Sequence, residues 1–236
     1  MKKLMLTICL VLGLIIAPVV MADTVTVSRY TGYYETDGGW NGGEFTAIIG
    51  DTSNPPDLEW VLANYAASTN GVNGTNSFQS FCLETTEYTG SNLNFEITQN
   101  AIMGGNPPDG DPISVGTAWL YYQFAKGVLT GYQYTPGEGR EDDAKELQNA
   151  IWMLEGAITW DGSNDFIELL FADTGYNDET LAKANNNWTY PVAALNLYKD
   201  GKLYQDQLVL VPEPGILILL GIAMSAVGLA ARRFKI

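Results

Sequence analysis

Residues 192–211 read Val-Ala-Ala-Leu-Asn-Leu-Tyr-Lys-Asp-Gly-Lys-Leu-Tyr-Gln-Asp-Gln-Leu-Val-Leu-Val. Two strand-forming runs, Val192–Tyr198 and Leu203–Val211, flank Asp200-Gly201. Asp-Gly is a favoured two-residue hairpin turn, because such a turn holds its central residues at positive φ. The stretch therefore predicts a hairpin closing the domain at about 192–211. Upstream of it the period changes. Leu147, Ala150, Ile151 and Leu154 recur at helical spacing in a helix beginning after Arg140. Glu141, Asp142 and Asp143 suit its N-terminus, where the helix dipole favours negative charge, and Gly156 stops it.

Further upstream, Ser114 is a good N-cap for a helix to about Leu129. Short helices are expected over 165–172 and 178–185, and another over 58–67. Strands are expected at Thr24–Tyr30, Glu44–Ile49, Phe78–Glu84 (with Cys82 inside it) and Asn94–Thr98. Strands at both ends around a helical middle make the fold class α+β, in one exported domain over 23–211.

Composition narrows the chemistry. The 236-residue chain has 12 basic and 27 acidic residues and no histidine. Ser-His-Asp and Cys-His catalysis and His-ligated zinc are thereby excluded. Residues 23–214 hold seven basic residues against all 27 acidic ones, a net charge near −20. Such a surface repels nucleic acid and anionic lipid, and no nucleic-acid partner is expected. Asp161, Ser163 and Asp165 begin like a calcium loop, but Phe166 stands where that loop needs glycine and Ala172 where it needs glutamate. No metal or cofactor is expected.

Both ends read as addresses. Lys2 and Lys3 precede an apolar run from Leu4 to Val20, and Val20-Met21-Ala22 offers small residues around a cleavage point, so 1–22 reads as a secretory signal peptide. At the other end, Pro212-Glu213-Pro214 is followed by an apolar run over 215–231 and then Arg232, Arg233 and Lys235. Seventeen helical residues reach roughly 25 Å, near the short limit for crossing a bilayer, and the basic end should stay cytoplasmic. The segment resembles the PEP-CTERM sorting signal in all three parts. That resemblance implies a transmembrane helix, recognition by an exosortase, cleavage near the tripeptide, and release to the cell surface or extracellular matrix of a Gram-negative bacterium. An ordinary tail anchor would share the helix and the basic end but has no call for the tripeptide.

Removal of the signal peptide takes Cys9 and leaves Cys82 as the single thiol, so no internal disulfide is possible. Two segments then stand out: Phe81-Cys82-Leu83-Glu84 and Leu147-Gln148-Asn149-Ala150-Ile151-Trp152. Together they resemble the thioester domain of bacterial surface adhesins, which pairs an aromatic-Cys segment with a later Gln-x-Ala-Ile-Trp. Leu147 departs from the usual threonine. The resemblance implies that Cys82 is the thiol and Gln148 the carboxamide of an internal thioester, attacked by an amine on a surface protein or a hydroxyl on a matrix polysaccharide. Such a bond needs shielding from water. Trp152, one helical turn from Gln148, and Phe81, beside Cys82, are the candidates, with Tyr121 and Tyr122 behind them. The chain is not expected to be an enzyme.

Two other readings stand beside this one. In the first, the chain is a non-reactive structural or carbohydrate-binding component of a biofilm matrix, with Trp40, Trp60, Trp160 or Trp188 stacking on sugars. In the second, it is a hydrolase using paired carboxylates such as Glu84 and Glu87, which rests on nothing more than abundant acids.

Overall fold

The computed structural model of the chain describes residues 24–34, 43–50, 59–72, 74, 76–102, 110–160 and 163–212. The expected signal peptide, Trp40 and everything after Pro212 in the expected sorting segment lie outside these residues. Among the described residues no helix is long and apolar enough to cross a membrane.

The elements run β1 (Val25–Ser28), β2 (Phe45–Ile49), α1 (Glu59–Leu62), a 3-10 turn (Ala67–Thr69), β3 (Ser77–Ser80), β4 (Asn94–Thr98), β5 (Asn100–Ala101) and β6 (Asp111–Pro112). They continue with α2 (Val115–Ala125), α3 (Glu138–Leu154), α4 (Asp165–Asp173), α5 (Glu179–Ala182), β7 (Val192–Lys199) and β8 (Lys202–Leu210). The architecture is α+β, with helices α2 to α5 inserted between antiparallel strands. One sheet has the order β1-β2-β3 and another β4-β7-β8, while β5 and β6 form a small separate pair.

Two local bridges link the larger sheets. Val25 pairs with Leu93, just before β4, and Cys82, just after β3, pairs with Gln207 on β8. Strand neighbours therefore follow one another around a ring: β1, β2, β3, β8, β7, β4 and back to β1. The second link is the one that positions Cys82.

The closing hairpin forms as its sequence predicts. Lys199 pairs with Lys202, and Asp200 and Gly201 take φ of 51° and 75°, the left-handed values this turn requires. Between Leu195 and Leu197 the register shifts, so that Asn196 faces the extra length of Gln205 and Asp206 on β8. Such a bulge re-aims the side chains around it. All of Gln205, Asp206 and Gln207 are buried.

Helix α2 is buried on almost every side because α3, α4, β7 and β8 all pack on it. The Ser114 hydroxyl caps it, accepting from the Thr117 N–H at 3.1 Å. At Gly116 an added Cβ would lie 2.9 Å from Leu154 Cδ2 and 3.0 Å from Ala182 O, so only glycine lets these helices approach.

Several boundaries differ from those expected. Helix α2 ends at Ala125, where Gly127 takes φ +70°. The helix expected over 58–67 is a single turn, Glu59–Leu62, followed by the 3-10 turn. The 178–185 helix shrinks to Glu179–Ala182. Helix α3 starts before Arg140, at Glu138, because Arg140 is not a solvated flank. Its guanidinium is buried against Glu44, giving Nε to Oε1 at 2.5 Å and an Nη2 bond to Oε2 at 2.8 Å, and Tyr132 donates to the same carboxylate. This ion pair ties the first turn of α3 to the start of β2.

Candidate functional site

Cys82 does not lie inside a strand, as the apolar pattern of 78–84 predicts: β3 stops at Ser80. Beyond it the chain crosses to β8. Leu208 N–H donates to Phe81 O at 3.0 Å and Leu83 N–H donates to Asp206 O at 3.1 Å. In an antiparallel pair successive residues turn their peptide groups to opposite sides. With 81 and 83 bonded to β8, the Cys82 N–H and C=O point away from that strand, and buried peptide groups need partners.

Gln148 supplies both. Its Oε1 accepts from the Cys82 N–H at 2.9 Å, and its Nε2 donates to Cys82 O at 2.8 Å. Gln148 is wholly buried and Cys82 is 2 % exposed. The helical spacing that buries Leu147, Ala150 and Ile151 carries Gln148 inward with them, so α3 delivers a carboxamide to the cysteine. The two residues singled out on sequence grounds are brought together across 66 positions.

On its other side Cys82 meets Gln207, whose Nε2 donates to Sγ at 3.4 Å, and Gln207 Oε1 has no partner among the described residues. Burial pushes the Cys82 thiol up, opposed in part by this bond, and the carboxyl of Glu84 adds to the rise. A neutral sulfur is what this environment stabilises. Cys82 also lines a cavity of about 280 Å³ together with Arg29, Tyr34, Glu84, Trp152 and Gln205.

Trp152 is 5 % exposed and stands between that cavity and a neighbouring one of about 470 Å³, lined also by Asn149 and Ile158. Its indole N–H has no hydrogen-bond partner among the described residues. Phe81 packs edge-on against Phe124, with centroids 5.0 Å apart, in the aromatic core beneath Cys82. Tyr121 is no lid: its hydroxyl donates to Gln79 O at 2.9 Å and lies 2.7 Å from the Tyr65 hydroxyl, deep in the interior. Tyr122 packs on Tyr190, away from the cysteine.

Glu84 borders both the Cys82 cavity and a smaller one of about 140 Å³ shared with Asp111 and Glu155. Burial, then the negative charges of Asp206, Glu155 and Glu87, push its carboxyl up to about 10. Its Oε2 has no hydrogen-bond partner among the described residues. Of the tryptophans expected to meet sugars, Trp160 stacks on Phe171 and Trp188 is 41 % exposed, while the Trp60 side chain is outside the described set.

No protein-family model, curated protein or solved structure matches the chain. Sequence reasoning missed Gln207 and the burial of Arg140. The available signal for the first was Gln205-Asp206-Gln207, a polar triplet opening into an otherwise apolar run. For Arg140 there was none, since a lone arginine among acids reads as a solvated helix start.

What the arrangement can do follows from its parts. The Cys82 N–H already bonds the Gln148 carbonyl oxygen, which polarises the carbon that a nucleophile would attack. A backbone N–H so placed stabilises the negative charge that develops on that oxygen.

Proposed function

We propose that Cys82 and Gln148 condense into an internal thioester, and that the exported chain uses it once to attach covalently to an amine or hydroxyl of a surface or matrix partner. In the first step the Cys82 Sγ–Gln148 Cδ bond forms and the Cδ–Nε2 bond breaks. The thiol proton leaves with the nitrogen as ammonia. In the second, the partner's nitrogen or oxygen bonds Cδ, the Cδ–Sγ bond breaks, and the partner's proton ends on sulfur. The observation that carries this reading is the closed pair of hydrogen bonds between the Gln148 carboxamide and Cys82. The burial of both residues, with Trp152 lining the cavity beside Cys82 and Phe81 in the aromatic core beneath it, supports the lifetime that such a bond needs.

The test is nucleophile labelling. Methylamine should become covalently attached at Gln148, located by peptide mapping, and the Cys82→Ala variant should take up none. Labelling that is independent of Cys82 contradicts the proposal.

Delivery is part of the same proposal. The Pro212-Glu213-Pro214 tripeptide, the apolar run over 215–231 and Arg232-Arg233 would hold the chain in the inner membrane until an exosortase cleaves it. Replacing Glu213 should leave the protein in the membrane fraction, whereas unchanged release rejects exosortase sorting.

One observation favours a second reading, a non-reactive component of the extracellular matrix. Both hydrogen-bonding groups of Gln148 are satisfied by Cys82 without any chemistry, so the pair serves equally as a clamp. Exposed Tyr88 and Trp188 would then be the surfaces for stacking on polysaccharide.

A further inference from the structure

We propose that Glu84 is the proton carrier of the site, delivering a proton to the Cys82 sulfur as a partner's amine opens the thioester. This rests on the thioester reading above and adds to it the residue that makes the bond's opening feasible in a buried acidic pocket.

Opening a thioester releases sulfur with an electron pair. Around Cys82 that pair is poorly tolerated, since the residue is 2 % exposed and burial opposes the thiolate. The Gln207 amide reaches Sγ, but an amide does not give up a proton at neutral pH. A proton donor at the sulfur is required, and two acids, Glu84 and Glu87, share the 280 Å³ cavity with Cys82. Glu87 accepts from the Thr86 hydroxyl in an exposed contact, which leaves Glu84 as the buried one. Its Oε2 is buried and unpartnered among the described residues, so the oxygen is not committed to any structural bond.

The groups around Glu84 keep it in the donating form. Asp206 on β8, Glu155 just after α3 and Glu87 on its own loop all oppose its ionisation, and the Asp206 backbone N–H opposes them weakly. Arg29, Tyr34 and Glu87 also line the cavity of Cys82, and Asp111 lines the smaller cavity that Glu84 borders. Burial and the three carboxylates prevail, which favours the neutral form of the carboxyl that lines the Cys82 cavity.

The step balances without any co-reactant. The amine nitrogen bonds Gln148 Cδ, and the Cδ–Sγ bond breaks with its electron pair on sulfur. The Glu84 carboxyl gives its proton to Sγ, and the resulting carboxylate takes the surplus proton from the new amide nitrogen. Glu84 ends as it began, Cys82 as a thiol, and Gln148 as a substituted amide.

The experiment uses the purified full chain and hydroxylamine, a nucleophile that stays unprotonated from neutral pH upward, with intact mass as the readout. Wild-type protein should react at a rate that falls as pH rises past about 10, where Glu84 loses its proton. Glu84→Gln should keep the mass deficit of one ammonia, react roughly 100-fold more slowly, in the range of general acid–base catalysis, and show no such fall. A wild-type rate with no downturn overturns the proposal, as does a Glu84→Gln chain that bears the thioester and reacts at the wild-type rate. The wild-type profile alone decides if the variant does not fold. A wild-type chain at full mass overturns the thioester itself and this proposal with it.

Discussion

Gln148 accepts from the N–H and donates to the C=O of one residue, Cys82, at 2.9 and 2.8 Å, so a helix side chain completes the edge of a strand-like segment. Removing it leaves two buried peptide groups unpaired, each costing about 1–3 kcal/mol. In a Cys82→Ala background, which keeps both peptide groups and forms no covalent link, Gln148→Leu should lower stability by roughly 2–5 kcal/mol in urea denaturation. A loss below about 0.5 kcal/mol, the level of an ordinary surface substitution, contradicts this pairing.

The Arg140–Glu44 pair should behave as a buried ion pair whose members are useful only together. Arg140→Met should cost about 3–5 kcal/mol, because Glu44 is left charged or forced to take up a proton in the interior. Adding Glu44→Gln should recover a large part of that loss. If the double variant is no more stable than the single one, the pairing has been misassigned.

Glu84 should leave a signature in the pH dependence of stability. Its carboxyl rises from 4.5 to about 10 on folding, chiefly through burial, so over that window the folded chain holds a proton the unfolded chain releases. Stability conferred by this group is complete below pH 4.5 and is lost as pH climbs towards 10. The urea midpoint of the wild type should therefore fall with rising pH across this window, and that of Glu84→Gln should fall less. Parallel slopes would refute the assignment.

The hairpin turn offers a test of the fold alone. Gly201 has φ 75°, where a Cβ is strained, so Gly201→Ala should cost about 1–2 kcal/mol. Asp200→Asn, at φ 51°, should fold at least as stably as the wild type, because asparagine takes left-handed values readily. A tolerated alanine at 201 combined with a damaging asparagine at 200 would mean a different turn.

Local signals explain what was legible. The hairpin, the Ser114 cap and α3 depend on short-range spacing, and each lies near where the residues predict it. The ends of α1 and α2 depend on what packs over them, and there the prediction overran. Cys82 shows the limit most clearly. Its apolar neighbours predict a strand continuing through 84, but whether the chain stays on β2 or crosses to β8 is settled by a hairpin more than 100 positions away. The burial of Gln205, Asp206 and Gln207 escapes the sequence for the same reason: the segment that covers them is distant. Cys82 and Gln148 were legible as a pair from residue types, while the hydrogen bonds joining them were not.

The central claim is the bond between those two residues, and the intact mass of the purified exported protein tests it most directly. The thioester predicts a chain lighter than its sequence by one ammonia, with no titratable thiol, and a Cys82→Ala variant showing no deficit. A wild-type chain at full mass with a free thiol at Cys82 would contradict it.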